Sequence, residues 1–96
     1  MLRIEPSRAF CRDAKKLKAK HADLSKLREV VELISQNTTE SRAELRRHHK
    51  MHVLSGVWEG ANECHVCNVG DWLLIWTVEG NTAFLARTGS HDELLR

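Results

Sequence analysis

The side chains able to move protons or hold a phosphate gather in the second half of the chain: His52, Glu63, His65, Asp71, Arg87 and His91. Histidine titrates near neutrality, so it can take a proton or give one. Arginine offers phosphate oxygens two parallel N–H donors. Together these groups would suit cleavage of RNA by its own 2′-hydroxyl. That reaction needs a base for the hydroxyl proton, an acid for the departing 5′-oxygen, and positive charge around the phosphorane. Spacing alone does not prove that the six converge. Singly, His52 and His65 also read as strand residues bonded to backbone, and Asp71 as a turn former beside Gly70. Arg87 also reads as a surface ion pair and His91 as a helix cap. Trp72 and Trp76 read as core, though an exposed Trp can stack on a base.

The elements that must position these groups follow from periodicity. Leu2–Glu5 is a candidate strand. Ser7 is an expected N-cap, and Phe10, Ala14 and Leu17 make one apolar stripe of a helix ending near His21. Asp23 opens a second helix, with Leu24, Leu27, Val31 and Ile34 at helical spacing and a stop near Gln36-Asn37. Thr38–Lys50 is polar and basic. Ser41-Arg42-Ala43-Glu44 fits a capping box for a short helix over 42–48, and a charged loop is the alternative.

From Met51 the pattern turns to strands: Met51–Leu54, a turn over Gly56–Gly60, then Glu63–Val69. After Gly70-Asp71, Trp72–Val78 is apolar on both faces, as a central strand should be. Glu79-Gly80-Asn81 is a hairpin turn, Thr82–Arg87 the last strand, and His91–Arg96 a final helical turn. The expected architecture is one α+β domain over residues 1–96, with an N-terminal strand and a helix pair packed on an antiparallel sheet.

Composition limits the alternatives. The 96 residues are 42% hydrophobic and 29% charged, the balance of a globular domain rather than a disordered chain. The longest apolar run, Trp72–Trp76, is far short of the roughly 20 residues of a membrane span. Nothing at the N-terminus resembles a signal peptide, so a cytoplasmic protein is expected. Residues 1–50 hold 13 Lys/Arg against 7 Asp/Glu, net +6; residues 51–96 hold 2 against 6, net −4. Such a basic half suggests a polyanion or an acidic partner, or simply a solvated helix surface.

Three cysteines do not make a disulfide framework. Cys64 and Cys67 have C-x-x-C spacing, but on a strand they point to opposite faces, and no second pair completes a four-ligand site. His48 and His52 have helical ligand spacing across what should be a helix-to-strand boundary. Neither a metal nor another cofactor is expected.

Four blocks in order carry a resemblance: Leu54-Ser55-Gly56-Val57-Trp58-Glu59-Gly60, Glu63-Cys64-His65-Val66, Asp71-Trp72-Leu73-Leu74-Ile75-Trp76 and Arg87-Thr88-Gly89-Ser90-His91. The chain closely resembles the YafQ family of bacterial toxins, in the RelE/ParE superfamily. The link Cys67–Gly70 and the segment Thr38–Lys50 are slightly longer than the family pattern. Asn62 stands where Arg is expected, Val53 where Pro is frequent, and Leu95 where an aromatic residue is typical.

The resemblance implies a RelE-like fold and a ribosome-dependent, metal-independent endoribonuclease that cuts mRNA in the A site, the toxin of a type II toxin–antitoxin pair. The family's functional positions fall on His52, Glu63, His65, Asp71, Trp72, Arg87 and His91. His52 is expected as general base and His91 as general acid, with those roles exchangeable. Arg87 should hold the scissile phosphate, Asp71 and His65 should orient substrate or tune the histidines, and Glu63 and Trp72 should contact mRNA. Lys15, Lys16, Lys18, Lys20, Arg46, Arg47 and Lys50 are candidate contacts to ribosomal RNA. The implied partners are the ribosome, mRNA and a cognate antitoxin in a hetero-oligomer, the antitoxin laying an acidic segment on the basic helices. The alternative is a non-catalytic toxin of the ParE kind, acting on DNA gyrase.

Overall fold

The computed structural model describes residues 1–67 and 70–95. The element order is β1 (Arg3–Pro6), α1 (Arg8–Ala19), α2 (Leu24–Gln36), α3 (Thr39–His49), β2 (His52–Val53), a 3-10 turn (Gly56–Trp58), β3 (Asn62–His65), β4 (Leu73–Glu79), β5 (Thr82–Gly89) and α4 (His91–Leu94). Local chemistry sets the helix starts. Ser7 accepts the Phe10 amide and Asp23 accepts the Ser25 amide, each satisfying a donor the first turn leaves orphaned. Both caps are those expected from sequence.

The third helix corrects the reading of Thr38–Lys50. It begins at Thr39, because Thr38 and Ser41 form the capping box: each side chain accepts the other's backbone amide at 2.9 Å. The box expected one step later, from Ser41 to Glu44, is absent because Ser41 already serves as the third helical residue. The helix ends at Lys50 in a left-handed conformation, φ 52°.

The five strands form one sheet in the order β1-β5-β4-β3-β2. The four strands of the C-terminal half pair antiparallel, as expected. β1 instead joins β5 in parallel, pairing Arg3–Pro6 with Thr82–Leu85, so the sheet is mixed. The reason is topological: the chain leaves β1, crosses one face as helices, and re-enters the sheet from its far edge.

Burial sorts the two faces. Phe10, Leu27, Val30, Ile34 and Leu45 of the helices pack on Cys64, Trp72, Leu74, Trp76, Ala83 and Leu85. Each buried Phe, Leu, Ile or Val side chain among them contributes about 1.5–3 kcal/mol of transfer free energy. The opposite face carries a smaller cluster, Ala61, Leu73, Ile75 and Leu94, with Leu54, Trp58 and Ala86 against it. The Trp58 indole N–H donates to the Leu94 carbonyl at 3.1 Å, tying the 54–61 loop to α4.

Boundaries shift where loops claim residues. β2 is two residues rather than four, and β5 runs on to Gly89. β3 ends at His65, and the part of the expected strand at 68–69 lies outside the described residues, as does residue 96 of the expected final helical turn. No helix among the described residues is long and apolar enough to cross a membrane.

Candidate functional site

The sheet register brings the chemical residues into rows on the face of the smaller cluster. His52 pairs with Glu63, Glu63 with Ile75, and Ile75 with Arg87. Directly paired residues point the same way, so this row runs across four strands. In the next row His65 pairs with Leu73 and Leu73 with Gly89.

Gly89 ends β5 at φ 152°, and a Cβ there would lie 2.9 Å from the Glu93 carboxylate. That carboxylate must be close, because Ser90 and Glu93 form the capping box of α4. The Ser90 hydrogen bonds hold the Glu93 carboxyl below its usual range. The tight turn swings His91 back over the sheet, where its ring centroid is 6.0 Å from that of His65.

Asp71 reaches this junction from the start of the next strand. Its carboxylate accepts the His91 amide at 3.1 Å and faces the ring Nδ1 at 2.6 Å. The His91 hydrogen bond holds the Asp71 carboxyl below the ordinary carboxylate range. The longer link before Asp71 includes 68–69, outside the described residues, yet Asp71 still meets His91. With Nδ1 committed to Asp71, Nε2 is the ring nitrogen left to meet a substrate.

His65 is half-buried, and burial lowers its pKa against the opposing pull of Glu63. Lys50, His91 and His52 push the same way as burial. The same physics stabilises the neutral ring, the form able to accept a proton. The His65 carbonyl accepts Nδ1 of His49 at 2.8 Å, fixing the end of β3 to α3.

His52 is arranged differently. Its Nδ1 donates to the Lys50 carbonyl at 2.8 Å, and its Nε2 lies 3.3 Å from Oε1 of Glu63. A carbonyl only accepts, so Nδ1 carries the ring proton, and Nε2 faces the Glu63 carboxyl group. Both ring nitrogens are therefore engaged. Glu63 is 2% exposed and its Oε2 has no hydrogen-bond partner. Expected from the family resemblance as an mRNA contact, Glu63 lies buried behind His52.

Arg87 is held by a residue outside the four motif blocks. Nε and Nη2 donate to the two carboxylate oxygens of Asp13 at 2.7 and 3.1 Å, and the Thr88 amide donates to Asp13 at 3.1 Å. The Asp13 hydrogen bonds raise the Arg87 pKa further. The Arg87 side chain remains 31% exposed. It borders a groove of about 580 Å³ with Ser55, Val57, Trp58, Glu93 and Leu95.

Trp72, expected from the family resemblance as an mRNA contact, lies in the core. It is 9% exposed, packed in the main core, with its indole N–H donating to Thr88 Oγ1 at 2.9 Å. Cys64 is wholly buried, and burial, reinforced by the Glu63 charge, pushes its thiol up to about 12.

The basic residues divide. Lys16 and Lys20 border the Thr88–Gly89–Glu93 junction, and Lys50 acts on His65. Lys15 and Lys18 are exposed on α1. Arg46 lines a different groove, with Asn62, Trp76 and Val78 at the other end of β3 and β4, and Arg47 is exposed on α3. The site therefore collects His52, His65, His91, Asp71 and Arg87 but leaves Arg46 apart. Among the described residues, no three His, Cys, Asp or Glu side chains are grouped to hold a metal ion.

Residues 2–96 match the family described as bacterial toxin of type II toxin-antitoxin system, YafQ. The mRNA interferase toxin YafQ of Escherichia coli K12 is 33% identical over 91 residues, 95% of this chain and 92% of that protein. The crystal structure of YafQ from E. coli BL21(DE3) superimposes with a TM-score of 0.85 at 30% identity, covering all of both chains. A chain of the E. coli DinJ-YafQ complex superimposes at 0.83 with 31% identity, again over the full length of both.

Proposed function

The chain belongs to the YafQ family of type II toxin–antitoxin toxins, and from that premise we propose that it is an mRNA interferase acting on the ribosome. The observation that carries this reading is the approach of His65 and His91 to 6.0 Å at the end of the strand that bears Arg87. One phosphodiester seated there would meet two proton-transfer groups and one fixed cation.

In the proposed reaction the 2′-oxygen attacks phosphorus and the bond to the 5′-oxygen breaks. The products are a 2′,3′-cyclic phosphate and a 5′-hydroxyl. His91 donates the leaving-group proton from Nε2, while Asp71 holds the ring through Nδ1. The base passes from His52 to His65, because both nitrogens of His52 are engaged and burial favours the neutral form of His65. His52 and Glu63 form the flank of the site. Arg87 binds the non-bridging phosphate oxygens, where fixed positive charge offsets the charge of the phosphorane.

Lys15, Lys16, Lys18, Lys20 and Lys50 would face the ribosomal RNA, with Arg46 and Arg47 as outlying contacts. A cognate antitoxin would hold the toxin in check in a hetero-oligomer, in the cytoplasm. The DinJ-YafQ complex supports that partner. The gyrase-binding alternative would leave the histidine pair without a task.

The test is expression in bacteria. The parent chain should arrest growth, and His91→Ala and Arg87→Ala should not. Full toxicity of both variants would refute the site assignment.

A further inference from the structure

We infer that Asp13, which belongs to no catalytic motif, is the positioning residue that seats Arg87 for phosphate; the inference rests on reading Arg87 as the phosphate clamp. β1 pairs with β5 only as far as Leu85, so the edge of β5 beyond that point is open to α1. There Ser7 Oγ donates to the Ala86 carbonyl at 2.8 Å, and Asp13 accepts the Thr88 amide. Asp13 is 8% exposed. A carboxylate that buried is costly unless charge and hydrogen bonds compensate it. Here Arg87 supplies the charge, and two guanidinium N–H groups and one amide supply the bonds.

Which edge of the guanidinium is used decides the role. Asp13 occupies the side formed by Nε and Nη2. The end formed by Nη1 and the second Nη2 hydrogen keeps two parallel donors, the geometry that matches two phosphate oxygens. Arg87 can therefore bind phosphate without releasing Asp13. The seat is itself backed by the core. Thr88 Oγ1 donates to the Leu73 carbonyl at 2.7 Å and accepts the Trp72 indole N–H. An arginine without this seat would sample several rotamers, and a misplacement of about 1 Å can cost about 10²-fold in rate.

The experiment measures single-turnover cleavage of ribosome-bound mRNA by the parent chain, Asp13→Asn, Arg87→Ala and the double variant. Asp13→Asn should lose about 10²-fold. In the Arg87→Ala background the same substitution should cost nothing more, because Asp13 acts only through Arg87. Undiminished cleavage by Asp13→Asn, or an equal loss in both backgrounds, overturns the inference; the second result would make Asp13 only a tie between α1 and β5. Full activity of Arg87→Ala would instead refute the underlying reading of the clamp. A second measurement needs no variant. In nitrogen–proton NMR spectra of the parent protein, the Arg87 Nε–H should exchange slowly with solvent, and a rapidly exchanging Nε–H overturns the proposal.

Discussion

Asp71 and His91, twenty residues apart, are joined twice: the carboxylate accepts the His91 backbone amide and also faces its ring Nδ1. The first contact satisfies an orphan donor at the start of α4, and the second aims the ring. Asp71→Asn should therefore slow cleavage less than His91→Ala, which should cost about 10²–10⁴-fold. In the His91→Ala background Asp71→Asn should add nothing. The Asp71 pKa is lowered in the fold, so its contribution to stability is present at neutral pH and lost as pH falls below the ordinary carboxylate range. Melting curves of parent and Asp71→Asn should differ at pH 7 and converge in strong acid.

The pKa of His65 is lowered by burial, so the unfolded chain binds a proton more readily than the folded one. Stability should fall as pH drops through about 6.5, the ordinary histidine value, and level off below the folded-state value. His65→Gln should remove that slope. The check is a series of melting temperatures across this range for both proteins. An identical slope would assign the pH dependence to another group.

Glu63 carries a buried oxygen with no partner, beside an exposed histidine. Glu63→Gln keeps the shape and removes a buried charge, so the variant should be as stable as the parent or more so. Cleavage should fall, because His52 loses its carboxylate partner. Thermal melting and cleavage assays on the same preparation test both halves; lost stability with full activity would contradict the role.

Trp72 belongs to the frame of the site. Trp72→Phe should remove one buried hydrogen bond, costing about 1 kcal/mol, or roughly 4–8 °C in Tm. The positions at which mRNA is cut should not change. A changed cleavage pattern at unchanged stability would return Trp72 to the substrate.

The paired helices and the strand-rich second half were legible because apolar periodicity is local: Phe10, Ala14 and Leu17 declare a helix whatever they pack against. The histidine cluster was legible as residue types in order, but its pairings were not. Asp13 sits among Arg12, Lys15 and Lys16, where one more charge means little. Its partner Arg87 is 74 positions away, and only the crossing of α1 over the edge of β5 joins them. The start of α3 was misplaced because Thr38 and Ser41 can both cap, and neighbouring contacts choose between them. Trp72 has the right chemistry for stacking on a base, and only the folded packing shows that it is 9% exposed within the core.

Primer extension on mRNA translated in a purified system tests the central claim most directly. The parent chain should leave codon-phased breaks that depend on ribosomes and disappear with Arg87→Ala or His91→Ala. Breaks that persist in both variants, or that form equally on mRNA free of ribosomes, would contradict the account.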